Sequence, residues 1–279
     1  IDNRYNGANI TYVDLADGET ESGERIIALD LADSDAIHDF AAGKQFDIVI
    51  NCAAMTNVDA CETDTVTALR ANAIGARNIA TFANLTGAKV VHVSTDYVFA
   101  GDADAPYSEW DLPAPNTAYG KSKLLGEKFV REVEPNSFIV RTSWLYGYIG
   151  NNFVKTMSRL AKEKEAITVV NDQVGNPTHA NDLAHHILKI ALTDEYGIYH
   201  ITGQGICSWF DFATEIIRLS GETCTVNPCT TAEYPSNTPR PAYSAMDHLM
   251  LRSTVGDEMR EWHVALEEYM KNWREDIVR

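Results

Sequence analysis

Tyr119 and Lys123 stand four residues apart, a spacing that places both side chains on one face of a helix. A lysine ammonium held near a phenol stabilises the phenolate and brings its pKa down from about 10 toward the working pH. Such a phenol can exchange a proton with a carbonyl or an alcohol. The spacing by itself also arises by chance, so the elements around the pair decide whether it indicates acid–base chemistry on a carbonyl or an alcohol.

Short apolar runs separated by helical stretches surround this pair and predict buried parallel strands. The runs lie at 10–14, 25–30, 47–51, 89–94 and 138–142. Ligands bind beyond the carboxyl ends of strands in open parallel sheets, so we expect the polar residues there to line one crevice. These residues are Asp14, Asp30, Asn51, Ser94, Thr95 and Thr142. The pattern predicts an α/β, doubly wound fold.

Capping signals position the helices between these strands. Ser34 is predicted to cap a helix to about Ala42, Asn116 or Thr117 to begin the helix of Tyr119, and Asn181 to cap a helix that ends near 192.

The regular alternation of strands and helices ends near residue 145, where we place a domain boundary. The sequence thus predicts a dinucleotide-binding domain at 1–145, to which 181–203 returns, and a smaller lobe at 146–180 and 204–279 that binds substrate.

Composition excludes several classes of protein. The chain has 279 residues, a mass of 30.9 kDa and 45% hydrophobic residues, enough for a large core. Its net charge of −17 argues against nucleic acid and anionic membranes as partners, since both need cationic patches. Five cysteines without CxxC spacing are typical of reduced thiols in a cytoplasmic protein. No metal site is predicted, because neither close cysteine pair has histidines at zinc-ligand spacing.

Six segments carry a resemblance to a known family. They read NCAAMTNVD at 51–59, VSTDYVF at 93–99, YGKSKLLGE at 119–127, RTSWLYG at 141–147, DQVGNPT at 172–178 and RPAYS at 240–244. By these segments the chain resembles the extended short-chain dehydrogenase/reductases, and within them the dTDP-4-dehydrorhamnose reductase family.

The resemblance implies a Rossmann-like doubly wound parallel sheet, a smaller C-terminal substrate lobe, and NADPH or NADH as cofactor. The implied reaction is reduction of the C4 ketone of a nucleotide-linked 6-deoxy sugar, foremost dTDP-4-dehydrorhamnose to dTDP-rhamnose.

The sequence departs from this family at the glycine-rich turn that meets the cofactor pyrophosphate. None of the 17 glycines has GxGxxG or GxxGxxG spacing. By resemblance, Asp14 takes the place of the ribose-binding acid that follows such a turn. We therefore expect the first strand, the glycine loop and most of the first helix to precede Ile1 in a longer polypeptide; a genuine deletion is the alternative.

Resemblance also implies roles for three catalytic residues. Tyr119 is the general acid that protonates the ketone oxygen as hydride arrives, Lys123 binds the nicotinamide ribose and tunes Tyr119, and Thr95 orients the substrate carbonyl. The alternatives are an exposed tyrosine at a helix start, a solvated lysine, and a threonine that bonds nearby backbone at the end of a strand.

A wider set is implied to bind the cofactor: Asp14, Asp30, Leu31, Cys52, Ala53, Ala54, Met55, Asn72, Tyr119 and Lys123. Acids at strand ends are also ordinary turn formers, and Asn72 has a structural alternative in bonding a neighbouring loop. A carboxylate at Asp14 repels a 2′-phosphate and favours NADH, although the family accepts both cofactors.

A third set is implied to bind the substrate: Thr95, Asp96, Tyr97, Val98, Phe99, Trp144, Asn152 and Arg240. The guanidinium of Arg240 suits a diphosphate. Core packing is the alternative for residues 97–99 and for Trp144, and helix capping is the alternative for Asn152. His92 is interpreted as a core histidine.

Other functions of related proteins remain open at this stage. The beta subunit of methionine adenosyltransferase, a regulatory subunit without catalysis, also resembles this family, and a nucleotide-sugar epimerase is a further alternative. Dehydratase chemistry is disfavoured because Tyr97 stands where the second acid would follow Thr95 and Asp96. The expected partner is a nucleotide sugar; a homodimer is one possible assembly, since the sequence does not determine the oligomeric state.

Overall fold

The computed structural model describes residues 8–234 and 236–277, and their contacts divide the chain into two compact units. Unit 1 comprises Ile1–Ser94, Pro115–Val140 and Ile187–Ile198. Unit 2 comprises Thr95–Ala114, Arg141–His186 and Tyr199–Arg279. Residues 95–114 thus group with unit 2, whereas they were predicted to lie in the dinucleotide-binding domain. The functional division into domains stays a prediction.

The strands are β1 (Tyr12–Asp14), β2 (Gly18–Glu19), β3 (Arg25–Ala28), β4 (Ile48–Asn51), β5 (Lys89–Thr95), β6 (Ser137–Thr142), β7 (Leu145–Tyr146), β8 (Ala166–Val170), β9 (Val174–Gly175), β10 (Thr178–His179), β11 (Gly197–His200), β12 (Cys207–Ser208) and β13 (Thr225–Cys229). The α-helices are α1 (Ser34–Ala41), α2 (Val58–Thr63), α3 (Thr65–Leu69), α4 (Gly75–Thr86), α5 (Ala118–Val133), α6 (Phe153–Glu163), α7 (Ala180–Ala191), α8 (Trp209–Ser220), α9 (Leu249–Ser253) and α10 (Trp262–Ile277). A π-helical segment, Arg70–Ile74, joins α3 to α4, and a 3-10 turn, Asp96–Val98, follows β5.

The predicted α/β class with a parallel sheet is confirmed. The largest sheet has the order β11-β6-β5-β4, and β4 runs parallel to β5 with Asn51 opposite His92. The grouping of strands differs from the expectation of one sheet, because β1 and β3 pair in a separate sheet of order β1-β3-β2. Ladder hydrogen bonds require neighbouring strands, and no strand of the described residues bridges these two sheets.

Helix starts follow capping chemistry, with two corrections. Thr117 caps α5 as predicted, since its side chain accepts from the Gly120 amide. The cap of α1 is Asp33 and not Ser34, because the Asp33 carboxylate accepts from two amides of the first turn. The prediction for Asn181 is wrong, because α7 already begins at Ala180.

Each unit buries its own apolar cluster. In unit 1, α1, α4 and β5 contribute Ile37, Ile79 and Val90, among others. In unit 2, Phe212, Ile216 and Tyr269 lie in the centre of a second cluster. Among the helices described, none combines the length and apolar character that crossing a bilayer requires.

Candidate active site

Helix α5 positions Tyr119 and Lys123 in unit 1. Two of its N-terminal amides have side-chain acceptors, since Ala118 N–H donates to Glu62 at 2.6 Å and Gly120 N–H donates to Thr117 Oγ1 at 3.0 Å. Tyr119 is largely buried, with 9% of its surface exposed, and Lys123 follows one turn later. The predicted helical relationship between the two residues therefore holds in the structure.

Gly126 allows α5 to approach the π-helical segment closely. A Cβ atom added at this glycine would lie 2.2 Å from the carbonyl oxygen of Asn72, far inside van der Waals contact. Only a residue without a side chain fits here. The helix of the predicted catalytic pair is thereby held against the segment that carries Asn72.

Lys123 is buried, with 2% of its surface exposed. Its Nζ donates to the carbonyl oxygen of Val93 at 2.7 Å and lies 3.4 Å from Nε2 of His92. Burial lowers the pKa of Lys123 to about 8, although the negative charge of Glu127 opposes this shift. The solvated-lysine alternative is therefore excluded, and the ammonium has a pKa close to the physiological range.

Asn72 bridges the loop after β4 to helix α5. Its Oδ1 accepts from Met55 N–H at 2.7 Å, and its Nδ2 donates to Met55 O at 3.1 Å and to Ser122 Oγ at 2.9 Å. These bonds supply the structural role that the sequence left open. A direct contact of Asn72 with cofactor stays a prediction.

The loop Cys52–Met55 leaves β4 with small side chains at its start. Cys52 and Ala53 are exposed, and Ala54 and Met55 are half-buried. The Ala53 amide donates to Asn51 Oδ1 at 3.1 Å, which holds the first turn of the loop. Exposed backbone with small side chains permits close approach by a dinucleotide, and this binding role stays a prediction.

Asp14 and Asp30 lie at the exposed ends of the segments in which sequence placed them. Asp14 accepts from the Leu15 amide at 2.7 Å, and Asp30 accepts from the Ala32 amide at 2.8 Å. Both carboxylates thus form local turns. Leu31 is half-buried and its carbonyl accepts from Asn78. Binding of ribose and adenine by these residues stays a prediction.

Thr95 opens unit 2, directly after Ser94 in the chain. Its hydroxyl donates to Asp96 Oδ1 at 2.8 Å and accepts from the Tyr97 amide at 3.2 Å. A threonine hydroxyl has one hydrogen, so this arrangement directs that hydrogen to Asp96. In the predicted role the Thr95 hydroxyl donates to a substrate carbonyl, which requires its hydrogen to turn from Asp96 Oδ1 to the substrate.

Asp96 is a buried carboxyl group, with 4% of its surface exposed. Burial raises its pKa to about 6, although the hydrogen bond from Thr95 lowers it. Within the described part of the chain, Oδ2 is buried without a hydrogen-bond partner. An oxygen of this kind is suited to accept a hydroxyl hydrogen, and substrate binding by Asp96 stays a prediction.

Val98 and Phe99 lie in the interior of unit 2. The Phe99 ring stacks on Tyr107 at a centroid distance of 4.3 Å, and the Arg141 guanidinium lies 5.1 Å from it. The core-packing alternative therefore describes their positions, and their role as walls of a sugar pocket stays a prediction.

Tyr97 and Arg240 meet in unit 2. Both are half-buried, and Nη1 of Arg240 donates to the Tyr97 hydroxyl at 3.5 Å. The fold thus brings the guanidinium of Arg240 to Tyr97, in the turn that follows Thr95, although the two residues are 143 positions apart in the sequence. Diphosphate binding by Arg240 stays a prediction.

Trp144 has a left-handed backbone, with φ of 47°, which is rare for a bulky residue. Its ring stacks on the ring of Trp209, with 3.6 Å between the ring centroids and an angle of 8° between the ring planes. Gly175 is required beside it, because an added Cβ would lie 2.7 Å from Trp144 Cε2. Strained residues of this kind cluster at functional sites. Stacking of Trp144 on substrate nevertheless stays a prediction.

Asn152 caps α6. Its Oδ1 accepts from Lys155 N–H at 3.1 Å and its Nδ2 donates to Gly147 O at 2.8 Å. The capping alternative is therefore realised, and contact with substrate stays a prediction.

Two polar pairs near Lys123 were not predicted from the sequence. Ser94 donates to Glu127 at 2.5 Å, and Asn51 faces His92 at 3.0 Å. Glu127 follows Lys123 at helical spacing, which is a signal that the sequence contains. The second pair joins two strands and has no local signal. Groups of three or more possible metal ligands are absent among the residues described.

Comparisons with known proteins place these features in context. A family model described as the RmlD substrate binding domain matches residues 7–275. The chain is 44% identical over 256 residues to the spore coat polysaccharide biosynthesis protein SpsK of Bacillus subtilis (strain 168), covering 90% of each chain.

Two solved structures extend the likeness to the fold. A dTDP-4-dehydrorhamnose reductase from Clostridium acetobutylicum ATCC 824 is 48% identical, with a TM-score of 0.87 and coverage of 89% of this chain and 90% of that one. A dTDP-4-dehydrorhamnose reductase from Bacillus anthracis str. Ames, solved with NADP, is 43% identical, with a TM-score of 0.86 and coverage of 91% and 92%.

Proposed function

Because the chain belongs to the RmlD substrate binding domain family, we propose that it is an NAD(P)H-dependent reductase of a nucleotide-linked 4-keto-6-deoxy sugar. The substrate is dTDP-4-dehydrorhamnose and the product is dTDP-rhamnose. The solved relatives named for this reaction support the proposal, since this chain covers about nine tenths of their length. The observation that carries the proposal is Lys123, buried and anchored to the Val93 carbonyl one turn after Tyr119.

The residues of unit 1 fit a dinucleotide cofactor. Lys123 has three donor hydrogens, of which one goes to Val93 O, so others are left for ribose hydroxyls. The loop Cys52–Met55 offers backbone and small side chains, and Asn72 holds that loop in place through Met55. When bound, NAD(P)H supplies hydride to C4 of the sugar.

Tyr119 supplies the proton in the proposed mechanism. Negative charge develops on the ketone oxygen as its carbon is reduced, and the phenol protonates that oxygen. The ammonium of Lys123 favours the phenolate that remains. The Thr95 hydroxyl donates to the ketone oxygen once it has turned away from Asp96 Oδ1, and a hydrogen bond to that oxygen stabilises the charge that develops on it.

Substrate recognition is proposed for unit 2. Arg240 presents a guanidinium to the diphosphate, a local cation that a chain of net charge −17 requires for an anionic ligand. Asp96 Oδ2 accepts a sugar hydroxyl, and Trp144 provides an aromatic surface.

The cellular setting is proposed on chemical grounds. All five cysteines are free thiols, which supports a cytoplasmic location. Light scattering of the purified protein tests whether it forms a homodimer.

An assay for ketosugar-dependent oxidation of NADPH tests the proposed function. We expect NADPH to be consumed one for one with dTDP-4-dehydrorhamnose, and no consumption with dTDP-glucose, which has no ketone. Conversion of a sugar nucleotide without net oxidation of cofactor would instead identify an epimerase. Absence of any conversion, with regulation of another enzyme, would identify a subunit without catalysis.

A further inference from the structure

Asn51 and His92 face each other across the ladder between β4 and β5, and both are buried. The amide nitrogen of Asn51 lies 3.0 Å from Nδ1 of His92. The other ring nitrogen, Nε2, lies 3.4 Å from Nζ of Lys123. A histidine that the sequence indicated as core therefore stands between a strand-end amide and the lysine of the predicted active site.

The direction of the Asn51 amide follows from its other contact. Its Oδ1 accepts from the Ala53 N–H at 3.1 Å, so the oxygen is committed to the loop and the NH₂ group faces His92. An amide NH₂ can only donate, and His92 Nδ1 must accept. A neutral imidazole with an unprotonated Nδ1 carries its hydrogen on Nε2.

Burial keeps His92 neutral. It lowers the pKa of His92 well below the ordinary value, and the charge of Lys123 acts in the same direction. The ring is fully buried, and the structure places the Asn51 amide against Nδ1 and the Lys123 ammonium against Nε2. Only the tautomer with its hydrogen on Nε2 both accepts a hydrogen bond from the Asn51 amide and leaves the buried ring uncharged.

This tautomer presents a donor to an ammonium that is itself only a donor. His92 Nε2 therefore offers no acceptor to Lys123, whose acceptor is the Val93 carbonyl at 2.7 Å. Glu127 on α5 and Cys52 after β4 also act on Lys123, and both favour the ammonium. The phenol of Tyr119, one turn earlier on α5, is the other titratable group of the proposed site in unit 1.

We propose that Asn51 is a positioning residue that holds His92 in the Nε2–H tautomer, so that the ammonium of Lys123 directs its remaining hydrogens away from the imidazole and toward the cofactor. The same side chain orders the first amide of the loop Cys52–Met55, so one amide couples that loop to Lys123. The inference rests on the proposed function, in which Lys123 binds the nicotinamide ribose.

Asn51→Asp tests the inference with an almost isosteric change. The carboxylate accepts from His92 Nδ1–H, which leaves the Nε2 lone pair to accept from Lys123. Stabilisation of the ammonium raises its pKa, so the alkaline loss of NADPH affinity should move to higher pH by about one unit. Binding is measured by titration of the purified protein with NADPH across the pH range.

A matched double variant separates the tautomer from the added charge. Asn51→Asp combined with His92→Leu keeps the carboxylate and removes the imidazole, and most of the shift should disappear. A shift of the same size in the double variant would mean that charge alone acts on Lys123 and would overturn the inference.

Nitrogen NMR of the histidine rings reads the tautomer directly in the unaltered protein. We expect His92 to show a protonated Nε2 and an unprotonated Nδ1, and the reverse in Asn51→Asp; His92→Leu assigns the signal. A protonated Nδ1 in the unaltered protein overturns the inference even if the variants do not fold. The expected tautomer without ketosugar reduction would instead count against the proposed function.

Discussion

The hydroxyl of Ser94 donates to Oε1 of Glu127 at 2.5 Å, and both residues are buried. This bond fixes a carboxylate one helical turn beyond Lys123 on α5. The negative charge of Glu127 raises the pKa of Lys123, against the larger effect of burial. A residue without any predicted contact to substrate thus helps to keep the lysine charged.

Glu127→Gln should shift the pH dependence of cofactor binding to lower pH. The amide oxygen still accepts from Ser94, but the charge that supports the ammonium is lost. The alkaline loss of NADPH affinity is expected to move down by about one pH unit. Glu132→Gln, an exposed change on the same helix, is the control and should leave the profile in place. An unchanged profile in Glu127→Gln would contradict this account of Lys123.

Tyr119→Phe should remove most turnover and keep cofactor binding. The variant preserves the buried aromatic ring at the start of α5 and removes the proposed acid, so kcat should fall by roughly 10²-fold or more. The affinity for NADPH, measured by titration, should change little. Tyr234→Phe, at a tyrosine with 59% exposure, is the matched control. Near-normal turnover in Tyr119→Phe would end the proposed mechanism.

Arg240→Gln should weaken binding of the sugar nucleotide and spare the cofactor. Loss of charge-assisted hydrogen bonds to a diphosphate corresponds to a KM increase of about 10- to 100-fold. Arg240→Lys keeps the charge and loses the planar fork, so its KM should lie between the values of the unaltered protein and of Arg240→Gln. Arg159→Gln, at an exposed ion pair with Glu163, serves as control. An equal rise of KM in both glutamine variants would assign the effect to net charge alone.

Asp96→Asn should stabilise the protein increasingly as pH rises. The pKa of Asp96 is raised to about 6 in the folded state, above its ordinary value of 3.8. A group with a raised folded-state pKa contributes stability below its unfolded pKa, and that contribution is lost as pH rises through the folded pKa. The loss is of the order of 3 kcal/mol between about pH 4 and 6, and an uncharged amide avoids it.

Thermal melts of Asp96→Asn and the unaltered protein at pH 5 and pH 7 check this pH dependence. The difference in Tm should grow in favour of the variant at the higher pH. Asp102→Asn, at an exposed position in the same stretch of unit 2, provides the comparison. A difference in Tm that is constant with pH would show that Asp96 does not titrate in this range.

Several features follow from local sequence alone. The shared helical face of Tyr119 and Lys123 depends only on a spacing of four, and the cap at Thr117 depends only on a hydroxyl before an amphipathic helix. The apolar runs became strands at nearly their predicted positions, with β6 at Ser137–Thr142. The resemblance carried by the six family segments likewise follows from the sequence without knowledge of the fold.

Tertiary structure decided which partners these residues have. Lys123 lies against Val93 and His92 because α5 packs against β5. Two residues some 30 positions away in the sequence therefore determine its hydrogen bonds: the Val93 carbonyl accepts one, and His92 Nε2 lies beside the ammonium. The stacking of Trp144 on Trp209 is of the same kind. Local patterns report the conformation of one element, whereas burial and hydrogen-bond partners arise where elements meet. The charge state of Lys123 and the tautomer of His92 therefore depend on packing that the sequence does not display.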